Sequence, residues 1–144
     1  MKKEIVPSTV ADVMSRDLIT VGLKTELKTI KRIFEERDFN GLPVVDDDGK
    51  LVGMVTKLDL LRLFRPDKRS WVPDFSHMDA RCVEDILGEG VAAVHPDDPI
   101  TTAVDRMIDL NVRSLPVIER EGKPPRLVGV VTRKDVLKSL EFRD

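Results

Sequence analysis

The chain contains an internal repeat, and this feature constrains its fold more than any other. Leu42-Pro43-Val44-Val45 returns as Leu115-Pro116-Val117-Ile118, an offset of 73 residues (42 to 115). Leu51-Val52-Gly53-Met54-Val55-Thr56 returns as Leu127-Val128-Gly129-Val130-Val131-Thr132, an offset of 76 residues (53 to 129). The three extra residues fall in the turn between these segments, where insertions are well tolerated. The chain therefore consists of two copies of one structural unit.

Each unit is predicted to fold as β-α-β-β-α. The predicted elements are a strand (18–21 and 91–94), a helix starting at Thr25 or at Asp98-Pro99, a hairpin (42–45 with 51–55, and its repeat), and a short helix (56–64 and 132–140). Asn40-Gly41 and Asn111 are predicted to end or to follow the long helices. We expect the two strands that flank each long helix to be parallel, through a right-handed crossover. The fold class is α/β (α+β), and the two units share a core because one alone would expose a sheet face.

The repeats define the domain organisation. The first repeat is predicted to span residues 8–65 and the second residues 80–141, with a polar connector at 66–79 that is rich in charge and contains prolines. Trp71 and Phe75 are candidates for holding this connector against the repeats.

The composition excludes several classes of protein. The net charge of −2, from 24 basic and 26 acidic residues, argues against a protein that binds nucleic acid through a basic surface. One cysteine excludes an internal disulfide framework. The chain shows no apolar run long enough to span a membrane and no secretory signal, so we expect a cytoplasmic protein without a membrane partner.

A Thr-x-x-Asp motif follows the last strand of each repeat, as Thr56 with Asp59 and as Thr132 with Asp135. The start of a helix presents free N–H groups that suit a phosphate, and a carboxylate one turn later can accept hydrogen bonds from the cis hydroxyls of a ribose. The same two residue types also form a capping box, in which they only satisfy the N–H groups of the helix. Both interpretations remain open from the sequence.

The order of these motifs, found twice, resembles the CBS domain family in its paired form. The resemblance covers residues 8–141 and implies two repeats packed through their sheets with pseudo-two-fold symmetry, a homodimer, and two clefts for an adenosine-containing ligand. In the first cleft it implies the ligand-binding residues Leu18, Ile19, Thr20, Asn40, Gly41, Leu42, Pro43, Thr56 and Asp59. In the second cleft it implies Val91, Ala92, Ala93, Arg113, Ser114, Leu115, Pro116, Thr132, Arg133 and Asp135.

The two predicted clefts differ in chemistry. Ala93 stands where the first repeat has Thr20, which removes a hydroxyl, and Arg113 stands where the first repeat has Asn40, which adds a cation. Because a guanidinium binds phosphate well, we expect the cleft that contains Arg113 to favour the more highly phosphorylated ligand. An ordinary solvated charged face is the alternative for these cations.

Other candidate residues do not form recognisable sites. Asp46-Asp47-Asp48-Gly49 lacks the spacing of a calcium-binding loop and is predicted to be a hairpin turn. His77 and His95 lack partners at metal-binding spacing, and Cys82 is interpreted as a small buried residue and not as a nucleophile. The sequence shows no catalytic constellation, so we expect neither an enzyme nor a required cofactor or metal.

The sequence thus predicts a regulatory module that senses an adenosine-containing ligand, with AMP, ADP, ATP and S-adenosylmethionine as candidates. Its expected partners are this ligand, a second copy of the chain and a separate effector protein. The alternative is a ligand-free scaffold for dimerisation or protein interaction, in which both Thr-x-x-Asp motifs only cap helices.

Overall fold

The computed structural model describes residues 1–65, 79–88 and 90–144. The strands are β1 Lys2–Ile5, β2 Val21–Gly22, β3 Gly41–Val45, β4 Leu51–Thr56, β5 Ser114–Gly122, β6 Pro125–Thr132 and β7 Leu140–Arg143. The helices are α1 Val10–Val13, α2 Leu27–Glu36, α3 Lys57–Arg62, α4 Ile100–Leu110 and α5 Arg133–Leu137, and a 3₁₀ turn spans Val83–Asp85. Residues 66–78 of the predicted connector, with Trp71, Phe75 and His77, lie outside the described residues.

Both repeats contain the predicted hairpin and the predicted parallel contact. β3 pairs with β4 and β5 pairs with β6, both antiparallel. In the first repeat β2 pairs in parallel with β3, Val21 opposite Val44, and in the second repeat an isolated parallel bridge joins Val94 to Val117. The opening strands are shorter than predicted. In the first repeat β2 has two residues, and in the second repeat the bridge at Val94 takes the place of a strand.

The long helices begin one or two residues later than predicted. Thr25 does not cap α2, since its hydroxyl accepts a hydrogen bond from the Gly22 N–H at 2.9 Å. Asp98 acts in the same way, accepting from the His95 N–H at 2.8 Å, and Pro99 is the N-cap of α4 instead of its first residue. These two side chains therefore close the turn before the helix. At the other end, Asn111 adopts the left-handed conformation (φ 53°), which confirms it as the end of α4.

The apolar core divides into two clusters, and each cluster includes residues from both sequence repeats. Val10 and Met14 precede the first strand of repeat one, yet they pack in the cluster of the second repeat with Val94 and Ile100. Val83, at the start of the second repeat, packs in the cluster of the first with Ile30 and other residues. The two repeats therefore exchange their leading segments.

Backbone hydrogen bonds hold the exchanged segments, and they obey the 73-residue offset. The Val10 N–H donates to the Asp98 carbonyl and the Val83 N–H donates to the Thr25 carbonyl, each at 2.9 Å. Two further equivalent pairs of N–H to carbonyl bonds follow the same offset. Ala11 donates to Pro96 and Glu84 donates to Leu23, each at 2.9 Å. Ile100 donates to Ser8 and Leu27 donates to Arg81, each at 3.0 Å. Each bond in one direction has its partner in the other, which is the pseudo-two-fold relation expected of two packed repeats.

The end of the second repeat departs from the prediction. The helix expected over 132–140 ends at Leu137, and β7 follows it and pairs antiparallel with β1, Ile5 opposite Leu140. One further hydrogen bond extends this pairing, since the Val6 N–H donates to the Ser139 carbonyl at 2.7 Å. Likewise α3 ends at Arg62, before Phe64. Among the described residues, no helix is long and apolar enough to cross a membrane.

Candidate functional site

A cavity of about 820 Å³ lies between the two repeats. This volume is in the range of pockets that hold a small molecule. Its walls come from α3 and the end of β4 in the first repeat, and from the segment before Val94, the end of α4 and the start of β5 in the second. Both repeats therefore contribute residues to the wall of the cavity.

The cavity brings together predicted site residues that the sequence assigned to different clefts. From the first predicted set it contains Asn40, Thr56 and Asp59, and from the second it contains Val91, Ala92, Arg113, Ser114, Leu115 and Pro116. It does not bring in Leu18, Ile19, Thr20, Gly41, Leu42, Pro43, Ala93, Thr132, Arg133 or Asp135. The structure thus groups the predicted site residues differently from the sequence analysis. The junction of β4 and α3 in one repeat faces the opening segment of the other repeat across the pseudo-two-fold axis.

Asp59 sits in a complete capping box. Its Oδ2 accepts hydrogen bonds from the Thr56 N–H at 2.8 Å and from the Thr56 hydroxyl at 3.0 Å, while the Asp59 N–H donates to Thr56 Oγ1 at 3.2 Å. The other carboxylate oxygen, Oδ1, accepts from Arg62 Nη1 at 3.2 Å. The side chain of Asp59 is 18% exposed and lies in the cavity wall. Asp59 therefore both caps α3 and lines the cavity.

Asp135 forms the same cap in a different environment. The Thr132 N–H donates to its Oδ2 at 2.9 Å, and the Asp135 N–H donates to Thr132 Oγ1 at 3.1 Å. It contributes to a separate cavity of about 270 Å³, whose other lining residues are Pro7, Asp12, Val13, Lys138 and Ser139. The N-terminal segment, through Pro7, Asp12 and Val13, thus forms one side of the space beside the second motif.

Cations outnumber anions among the described residues of the larger cavity. The described residues in its wall include three cations, Lys57, Arg62 and Arg113, and one anion, Asp59. α3 has six residues, so its dipole is small and the side-chain cations carry most of the attraction for an anion. The positive charge in the described part of the wall therefore comes mainly from these three side chains.

Arg133 has a supporting position. Its Nε donates to the Val112 carbonyl at 3.0 Å, and its Nη2 donates to Asn111 Oδ1 at 3.2 Å. Asn111 and Val112 both line the larger cavity, whereas Arg133 does not. Arg133 therefore bonds to two residues that line the cavity, and its contact with a ligand stays a prediction.

Five further apolar residues of the wall were not among the predicted site residues. Met54, Leu58, Leu61, Leu87 and Leu110 line the cavity beside the charged residues. Leu58 and Leu61 are 55% and 66% exposed on α3, and apolar residues on the outer face of a short helix are a signal that could have been used.

Cys82, Glu84 and Asp85 place three potential metal-binding atoms within 4.8 Å of one another, but these groups already have partners. Glu84 pairs with Lys24, which raises the pKa of that lysine. Asp85 accepts from the N–H groups of Arg81 and Cys82, and these bonds lower the pKa of its carboxyl. Within the described part of the chain, His95 is not among the residues that could form a metal cluster; its Nδ1 lies 3.0 Å from the Ile118 carbonyl.

Comparison with known proteins identifies relatives that are similar in sequence. A CBS domain-containing protein of Dictyostelium discoideum is 32% identical over 136 residues, covering 91% of this chain and 90% of that protein. A homoserine O-acetyltransferase of Methanohalobium evestigatum is 28% identical over 132 residues, covering 92% of this chain. The chain spans about a quarter of the length of that enzyme and of other curated relatives such as the L-aspartate semialdehyde sulfurtransferase of Methanocaldococcus jannaschii.

Solved structures have the same fold. The crystal structure of CBSX2 in complex with AMP superposes with a TM-score of 0.73 at 27% identity, covering 90% of this chain and 93% of that one. The CBS domain pair of protein MJ0100, in complex with 5′-methylthioadenosine and S-adenosyl-L-methionine, gives a TM-score of 0.72 at 26% identity, with the same coverage. The family model for the CBS domain matches residues 10–66 and 83–141. The chain therefore belongs to the CBS domain family, as a tandem pair of repeats.

Proposed function

We propose that the chain is a regulatory module that binds an adenosine-containing ligand in the 820 Å³ cavity between its repeats. One observation carries this proposal. The cavity wall combines a partly exposed carboxylate, three cations and an apolar surface, and these are the groups that recognise a ribose, a phosphate and a base. Related CBS pairs bind AMP, or 5′-methylthioadenosine and S-adenosyl-L-methionine, which supports the ligand class.

Each part of the ligand has a counterpart in the wall. The hydroxyls of the ribose would donate to the Asp59 carboxylate, as acidic residues accept from ribose in other nucleotide-binding folds. The base would lie against Val91-Ala92 and Leu115-Pro116 of the second repeat. The phosphates would meet the cations, and Arg113 would extend the attraction to the longer phosphate chains.

The chain is proposed to act without catalysis, as a cytoplasmic homodimer that a separate effector protein recognises. Apolar side chains on the outer helices support a further contact surface. Leu61 is 66% exposed, Ile108 71% and Leu137 64%. A ligand bound between the repeats would change such a contact only if it favoured one arrangement of the assembly over another.

A ligand-free scaffold is the second candidate, and the completeness of both capping boxes favours it. Thr56 with Asp59 and Thr132 with Asp135 each satisfy helix N–H groups without any ligand. In this case both aspartates would contribute only to stability.

Thermal unfolding with AMP, ADP, ATP and S-adenosylmethionine separates the two candidates. A ligand at a hundred times its Kd stabilises the folded state by about 2.7 kcal/mol, or about 8 °C for a chain of this size. We expect Asp59→Asn to abolish this shift and Asp135→Asn, the matched control with the same cap, to retain it. If no ligand stabilises the wild type, the scaffold is the better description.

A further inference from the structure

We infer that Arg62 sets the ligand selectivity of the larger cavity, because it occupies the carboxylate oxygen that an adenosine ribose would use. This inference rests on the proposed function. It assigns to Arg62 the preference for a phosphorylated nucleoside over the same nucleoside without phosphate.

The two oxygens of Asp59 have separate partners. Oδ2 accepts both hydrogen bonds from Thr56, so it is committed to the cap of α3. Oδ1 accepts from Arg62 Nη1 at 3.2 Å, in an ion pair between residues three apart on the helix. The side chain of Arg62 is 56% exposed and also lines the cavity. Oδ1, the carboxylate oxygen that takes no part in the cap, is thus already bonded to Arg62.

A ribose must therefore share or displace Arg62 to reach Asp59. An unphosphorylated nucleoside offers the released guanidinium no new anion, so the lost ion pair is uncompensated. A nucleotide brings a phosphate attached to the same ribose, and guanidinium binds phosphate through two parallel hydrogen bonds. Binding of a nucleotide is then an exchange of one anionic partner of Arg62 for another.

The second repeat lacks this arrangement. The residue equivalent to Arg62 is Lys138, at the 76-residue offset (62 to 138). Lys138 and Asp135 line the same smaller cavity, yet they form no ion pair within 4.0 Å in the part of the chain that the structure describes. The competition for the carboxylate is therefore a property of the first motif and not of the capping box itself.

Calorimetric titration of the full chain with adenosine and with AMP tests the inference. In Arg62→Gln we expect adenosine to bind about 2- to 5-fold more tightly, as the loss of an exposed ion pair allows. We expect AMP to bind about 10-fold more weakly, because a charged hydrogen bond to phosphate is lost. The preference for AMP over adenosine should therefore fall by more than 10-fold.

Lys57→Gln is the matched control, since it removes a cation of the same cavity that has no bond to Asp59 in the described residues. It should weaken AMP and leave adenosine unchanged, and Arg62→Lys should restore part of the wild-type preference. Unchanged or weaker adenosine binding in Arg62→Gln overturns the inference, as does tighter adenosine binding in Lys57→Gln. If the wild type binds neither ligand, the proposed function fails as well, which is a distinct result.

Discussion

Gly53 and Gly129 occupy equivalent positions in the two hairpins, where each hairpin lies against an exchanged leading segment. Replacing each glycine with alanine tests this packing. A Cβ at Gly129 would lie 2.7 Å from Met14 Sδ and 2.9 Å from the Ser15 carbonyl oxygen. A Cβ at Gly53 would lie 2.8 to 3.2 Å from three side-chain atoms of Leu87. Both distances are too short, so something must move in each variant.

The expected costs differ because the obstacles differ. The Ser15 carbonyl oxygen accepts a hydrogen bond from the Val130 N–H at 3.0 Å, and the Ser15 N–H donates to the Val130 carbonyl at 2.8 Å. Moving this backbone weakens both bonds, each worth about 1 kcal/mol, in addition to the overpacking. We expect Gly129→Ala to cost about 3 kcal/mol. Leu87 is only partly buried and can rotate, so Gly53→Ala should cost about 1 kcal/mol.

Urea unfolding and thermal melts measure both costs. At about 3 °C per kcal/mol, the melting temperature should fall by about 9 °C in Gly129→Ala and by about 3 °C in Gly53→Ala. Gly88→Ala is the control, because no described residue lies within 4 Å of its Cβ position, and it should be neutral or stabilising by about 0.5 kcal/mol. Equal costs at Gly53 and Gly129, or a greater cost at Gly53, would refute the reasoning.

Three further experiments address the caps, the cations and the terminal strands. Hydrogen bonds from Thr9 lower the pKa of Asp12, and those from Arg81 and Cys82 lower that of Asp85, so both carboxylates stabilise the fold above the unfolded value of 3.8. Urea titrations should therefore show that Asp12→Asn and Asp85→Asn destabilise the chain at pH 7, with a difference from wild type that shrinks as the pH falls below about 4. Arg113→Ala should weaken ATP more than AMP in calorimetry, and equal losses would contradict its assignment to the longer phosphate chains. Deleting residues 1–7 should accelerate amide hydrogen exchange across Leu140–Arg143, since β7 would lose its only paired strand among the described residues.

The features that follow from local sequence were predicted well. Both hairpins, the parallel contact of Val21 with Val44, and the end of α4 at Asn111 are confirmed, because turn residues, strand alternation and helix caps act over a few positions. The boundaries were less accurate. Thr25 carries a good capping side chain, but its hydroxyl is used one turn earlier.

The pseudo-two-fold packing of the two repeats was predicted, but the segments that each repeat contributes to the core of the other were not. Nothing in the pattern around Val10 indicates that it packs with Ile100 instead of with the hairpin of its own repeat. The division of site residues between two clefts followed the order of the chain, whereas Asp59 lies with Arg113 across the axis. Strand β1 is short and charged, so its alternation is weak, and its partner β7 lies far away in the sequence.

The exchanged leading segments have a consequence for the independence of each half. Val10 and Val83 are fully buried, each in the core of the other repeat, so a single repeat expressed alone would lack part of its own interior. Two separate halves should complement each other, and two copies of one half could trade the same segment to form a symmetric pair. The connector raises the effective concentration of this association by making it intramolecular. The molecule thus behaves as a domain-swapped dimer fused into one polypeptide, whose two sides are free to differ.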